Sequence, residues 1–120
     1  MLRERRDGRT TVRERDVRER LTAEAIGVGE LGERATLVQF SSAFCQPCRA
    51  TRRVLAEVSG MVEGVVHVEI DAESRLDLVR ALGIVRTPTT LVLDARGRIV
   101  RRASGMPRKA DVIAALGEAV

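Results

Sequence analysis

Two cysteines separated by two residues, Cys45-Gln46-Pro47-Cys48, are the positions in this 120-residue chain whose types and spacing suit chemistry. A thiolate at Cys45 would meet the unpaired backbone N–H groups and the positive dipole end of the helix that starts there. Cys48, one turn later, faces inward within reach of the first sulfur. That arrangement suits thiol–disulfide exchange: Cys45 attacks a disulfide, and Cys48 then attacks the mixed disulfide and closes Cys45–Cys48. Arg49, Arg52 and Arg53 add positive charge that should favour the Cys45 thiolate further, screened where they are exposed. Two other uses of the pair are weaker. Half of a zinc ribbon would need a second ligand pair, and only His67 is at hand, so no metal is expected. A purely structural disulfide closing so short a loop would constrain the unfolded chain little.

The elements that must hold this motif can be read from hydrophobic periodicity. Thr36–Phe40 is a β-branched and apolar run suited to a strand buried on both faces. Ser41–Phe44 connects it to a helix from about Gln46 to Val58, with Pro47 in the first turn, where a missing N–H costs little. Cys48, Thr51, Leu55 and Val58 form one helical face, and Ser59-Gly60 is expected to end it. Val65–Ile70 reads as a strand with Val66, Val68 and Ile70 on one face and His67 and Glu69 on the other. Residues 73–82 suggest a helix with Leu76, Leu78, Val79 and Leu82 as its apolar set, closed by Gly83. Thr89–Leu93 and Ile99–Ala103 suggest a hairpin around Ala95-Arg96-Gly97-Arg98. Gly105 breaks the second strand, and Pro107 opens a last helix whose apolar set is Val112, Ile113, Leu116 and Val120. Leu21–Ile26 fits either a first strand or one helical turn. The order β-α-β-α-β-β-α, with parallel strands joined by helices and then an antiparallel hairpin, implies an α/β protein. Its mixed central β-sheet is flanked by helices on both faces.

Composition narrows the alternatives. The chain suits one compact domain and is too short for two. No apolar stretch can span a bilayer and no apolar signal region follows the basic start, so a cytoplasmic location is expected. Phe40 and Phe44 are the only aromatic residues, which weighs against base-stacking nucleic-acid modules. The net charge of +4 is local: residues 1–20 hold eight arginines against five acids, leaving thirteen basic and twelve acidic residues elsewhere. Residues 1–20 are therefore expected to form a basic, flexible arm, and residues 21–120 the domain. Interspersed acids weaken the arm's field, so a solvated tail is favoured over contact with nucleic acid or anionic lipid. A juxtamembrane stub of a missing upstream anchor would instead make the protein membrane-associated.

From Thr36 to Val120 the chain resembles the thioredoxin family. Phe40–Cys48 resembles its active-site run, Val65–Asp71 its central strand, and Gly83-Ile84-Val85-Arg86-Thr87-Pro88-Thr89 the segment that carries its cis-proline. Gly97 and Gly105 fall where the family has glycines. The resemblance implies a thioredoxin-like fold and a thiol–disulfide oxidoreductase with Cys45 as nucleophile and Cys48 as resolving thiol. It also implies that Pro88 is cis, that the Thr87 backbone pairs with an extended substrate, and that Phe44, Gln46, Pro47 and Gly105 border the docking surface. Disulfide-containing proteins would be the substrates, with a separate electron donor and no cofactor beyond the redox-active cysteines.

Departures from the family pattern bear on mechanism. Gln46 replaces the usual glycine between the cysteines, so the redox poise of a general reductant does not carry over. Phe44 stands for the usual tryptophan, retaining an apolar cover without the indole donor. Gln39 stands where the family has a buried carboxylate, and His67 where that group's lysine partner lies. Replacing both avoids leaving a lone buried charge. His67 is thus a candidate proton acceptor for Cys48, with a hydrogen-bonded structural role as the alternative, and Glu69 is a further candidate. Gln39 also keeps open a second function, a redox-responsive binding module with weak turnover.

Overall fold

The computed structural model describes residues 19–120. Four strands, β1 (Ala35–Ser41), β2 (Val65–Asp71), β3 (Thr89–Asp94) and β4 (Ile99–Ser104), form one sheet in the order β2-β1-β3-β4. Helices α1 (Ala23–Ile26), α2 (Gln46–Met61), α3 (Leu76–Ala81) and α4 (Lys109–Ala119) cover it. Every residue of β1 is buried, as its unbroken apolar and β-branched run implies for a central strand. One core packs α1 and α3 against Val38, Phe40, Ile70, Leu91 and Leu93. The other packs Leu55 and Val58 of α2 and Val112, Ala115 and Leu116 of α4 against Leu37, Val65 and Val92. A fully buried Leu or Phe contributes roughly 1.5–3 kcal/mol, so the second cluster holds α2 firmly on the sheet.

Strand direction departs from the sequence expectation. β1 and β2 are parallel across the α2 crossover, but β3 runs antiparallel to β1. The cause lies in the β2–β3 connection. A short 3₁₀ turn (Ala72–Ser74) and the six residues of α3 advance the chain too little to recross the sheet, so it returns at the end where it left. The expected helix over 73–82 is split accordingly. The Asp71 carboxylate accepts from Glu73 N–H at 3.0 Å and Ser74 Oγ–H at 2.8 Å, capping the separate turn. Leu76 is left exposed, while Leu78 and Leu82 are buried.

Other boundaries shift for similar reasons. Helix α2 continues through Ser59 and Gly60 to Met61, because one exposed glycine costs a helix only about 1 kcal/mol. In β2, an edge strand, Val66 is exposed; in α4 Ile113 is exposed and Ala115 buried, and Val120, just past its end, is exposed. Leu21–Ile26 resolves to a helical turn, with Thr22 Oγ1 accepting from Ala25 N–H. The expected hairpin forms around Gly97, whose φ of +86° suits glycine. A side chain there would also strike the carbonyl of Leu21, whose backbone is held close by the Leu21 N–H donated to Gly97 O at 2.8 Å. The expected arm lies outside the described residues except for its last two, of which Arg20 bridges to Arg98. No described helix is long and apolar enough to cross a membrane.

Candidate active site

Cys45 is the N-cap of α2, and its sulfur accepts the Cys48 N–H at 3.2 Å. The two cysteines form a disulfide with their Cα atoms 5.2 Å apart. Cys45 is partly accessible, whereas Cys48 is 1% exposed on the inner face of the helix with Thr51, Leu55 and Val58. An approaching sulfur therefore meets Cys45 first. Pro47 occupies the first turn, and Thr51 Oγ1 donates to its carbonyl at 2.8 Å.

Three loops converge at this end of the sheet. Ser42 and Thr87 share a hydroxyl hydrogen bond at 2.7 Å, joining the β1–α2 loop to the loop before β3. The Thr87–Pro88 peptide is cis, and Pro88 O accepts from Gly105 N–H at 2.8 Å, adding the β4–α4 loop. Gln46 and Pro47 are exposed beside them. Phe44 does not cover the dithiol as its apolar character suggested. It is 97% exposed, with a left-handed φ of +57°. That conformation costs a side-chain-bearing residue roughly 1–2 kcal/mol, and exposure of the ring returns nothing to the free protein.

Beneath the disulfide lies a polar knot on the α2 face of the sheet. Gln39, fully buried, donates from Nε2 to Cys48 O at 2.8 Å and to Ser41 Oγ at 2.9 Å. Its Oε1 lies 3.0 Å from His67 Nε2. Because a carbonyl can only accept, Cys48 O fixes the amide with Oε1 toward the ring, so His67 carries its proton on Nε2 and donates it. Any base function of neutral His67 must then use Nδ1. Burial lowers the His67 pKa, with the Glu69 carboxylate pulling the other way and Arg52 adding to the decrease. The Ser41 hydroxyl donates to Glu69 Oε2 at 2.8 Å, and Arg52 grips the same carboxylate at 2.7 and 2.8 Å. The Arg52 hydrogen bond chiefly lowers the Glu69 pKa, holding it as an anion and a weak base.

The predicted residues Gln39, His67 and Glu69 thus come together, but they reach Cys48 through its carbonyl. Arg52, expected to act on the Cys45 thiolate, is instead paired with Glu69. Sequence reasoning missed the bridging role of Ser41. Its signal was polar residues two apart on both strands, which the register Gln39↔Glu69 and Leu37↔His67 sets side by side.

The knot carries a pH dependence. In acid the unfolded chain protonates at the ordinary histidine value of 6.5 while folded His67 resists, so its stabilising contribution is present above that value and lost as pH falls through the lowered one. Glu69 has the same sign at lower pH, beginning from 4.5. The urea midpoint is expected to fall between pH 7 and 5, and His67→Gln, which keeps an N–H donor for Gln39, should flatten that decline. An unchanged slope would exclude His67 as its source.

A hollow of about 300 Å³ between β3, β4 and α4 lies away from the dithiol, and none of the predicted site residues lines it. A second hollow, of about 330 Å³, lies beside the β1–α2 loop and is lined by Ser41, Ser42, Ala43, Arg52, Glu69 and Asp71. A mixed sheet with a Cys-X-X-Cys disulfide at a strand–helix junction, and a cis-proline on the adjoining loop, defines a class of dithiol proteins. Residues 21–120 match the family model described as a thioredoxin-like domain. The chain belongs to that family. A thioredoxin of Mycoplasma pneumoniae is 27% identical over 88 residues, covering 72% of this chain and 85% of that protein. Human thioredoxin domain-containing protein 2 is 40% identical over 60 residues, which are 50% of this chain but only 11% of that protein. Among solved structures, thioredoxin NaTrxh of Nicotiana alata superposes with a TM-score of 0.63 at 25% identity, covering 72% of this chain and 74% of that one. Spinach chloroplast thioredoxin F has a TM-score of 0.63 at 20% identity, covering 73% and 78%. Family membership together with the Cys45–Cys48 pair supports thiol–disulfide oxidoreductase chemistry.

Proposed function

We propose that this protein reduces or exchanges disulfides of protein clients by cycling Cys45 and Cys48 between dithiol and disulfide. The observation that carries the reading is the unequal exposure of two bonded sulfurs at a helix N-terminus. In the reduced form, the Cys45 thiolate attacks one client sulfur, forms a Cys45–client bond and expels the other client sulfur as a thiolate, which takes a proton from water. Cys48 then loses its proton and attacks Cys45 Sγ, releasing the second client thiolate and closing Cys45–Cys48. Two electrons pass to the client, and a separate dithiol reductant restores the pair. Thr87 and cis-Pro88 serve as the docking edge, bordered by Phe44, Gln46, Pro47 and Gly105. His67 Nδ1 is the proton acceptor available in the knot.

With dithiothreitol as electron source, the protein is expected to accelerate insulin reduction well above the reductant alone. A rate at the uncatalysed background would favour the second reading, a redox-responsive binding module. The contact of Gln39 with a carbonyl of Cys48 is the observation that favours it.

A further inference from the structure

We infer that Arg86 selects clients carrying a carboxylate close to the reactive disulfide, a specificity that rests on the oxidoreductase reading above. The loop segments joined by the Ser42–Thr87 and Gly105–Pro88 hydrogen bonds, residues 42–49, 84–88 and 105–108, contain Arg49, Arg86 and Arg108 and no acidic residue. Arg86 immediately precedes Thr87-Pro88, and its guanidinium lies against Gly105 on the opposite loop. A Cβ built at Gly105 would lie 2.9 Å from Nη2 and 3.6 Å from Cζ. The missing side chain at Gly105 thus gives the guanidinium its seat between the two loops. Arg86 is exposed, and among the described residues no acceptor pairs with its guanidinium. The carboxylates at the neighbouring β2 end are already engaged, Glu69 by Arg52 and Asp71 by the turn that follows it.

The same loops carry exposed apolar side chains. Phe44 is 97%, Val85 89% and Met106 59% exposed, each on one of the three joined loops. A client segment laid along Thr87 would therefore meet apolar surface and one planar donor fork suited to a carboxylate. Basic clients would face uncompensated like charge. The matching client is an extended segment with Asp or Glu and an apolar residue flanking its cysteine.

Two peptides that differ only in Glu or Lys two residues before a single cysteine test this, each loaded as a 2-thiopyridyl mixed disulfide. Release of 2-thiopyridone by the pre-reduced protein gives the rate, divided by the rate with 2-mercaptoethanol to remove intrinsic differences. The Glu peptide is expected to react about fivefold faster at low ionic strength, with the ratio shrinking in salt. Arg86→Gln should bring the ratio close to one. Equal rates in the unaltered protein would overturn the inference, and so would a ratio that persists in Arg86→Gln, since Arg49 and Arg108 would then be responsible. If neither peptide reacts faster than with Cys45→Ser, the oxidoreductase reading itself fails, and selection by Arg86 with it.

Discussion

Cys45→Ser is expected to reduce disulfide turnover to the background rate of the chemical reductant, and Cys48→Ser to stop the cycle half-way. The asymmetry follows from exposure. Cys45 is the more accessible of the two cysteines, and a serine hydroxyl in its place is not ionised at neutral pH and is a poor nucleophile toward sulfur. Cys48 is buried at the inner face of α2, so its loss leaves the first attack intact. What disappears is the second attack, and the Cys45–client mixed disulfide should accumulate as a covalent adduct, measurable by mass spectrometry under non-reducing conditions. The Cys45→Ser variant should form no such adduct. Full turnover by Cys45→Ser, or equal adduct yields from the two variants, would refute the assignment of the two roles.

Gln39→Leu is expected to be strongly damaging, lowering stability by roughly 2–4 kcal/mol. Leucine nearly matches the glutamine in volume, so little cavity results, and the loss isolates the hydrogen bonds. The Cys48 carbonyl loses its Gln39 donor, the His67 Nε2–H its acceptor, and Ser41 one of its two side-chain partners. Each buried polar group left unsatisfied costs more than the net value of the bond that served it. Urea unfolding of the oxidised protein measures the loss. A change within about 0.5 kcal/mol would show that water replaces these contacts and that the knot is not a structural support.

The parts of the fold legible in the sequence were those decided by local pattern. An unbroken apolar run identified β1, and the spacing of Cys48, Thr51, Leu55 and Val58 identified the buried face of α2. Alternation along Val65–Ile70 assigned β2 its two faces, although the exposure of Val66 depends on where the sheet ends. The motif gave the dithiol, and family resemblance gave cis-Pro88. The direction of β3 was not legible, because it depends on the length of a connection that a capping aspartate divides into two short pieces. The inner face of α4 was misjudged at Ile113 because hydrophobicity alone does not say which side a helix lays on the sheet. The polar knot needed register: nothing local joins Gln39, Ser41, His67, Glu69 and Arg52 until β1 and β2 are aligned.

One feature far from the sulfurs bears on how the protein can be handled. Leu21 is tied to Gly97 in the β3–β4 turn, and Ala35 pairs with Asp94 at the same end of the sheet. The disulfide follows Ser41, at the other end of β1, about 20 Å away along the strand. A tag or surface linkage joined at Leu21 would thus leave from the end of the sheet opposite the disulfide. Immobilised that way, the protein would turn the loops around the disulfide away from the support.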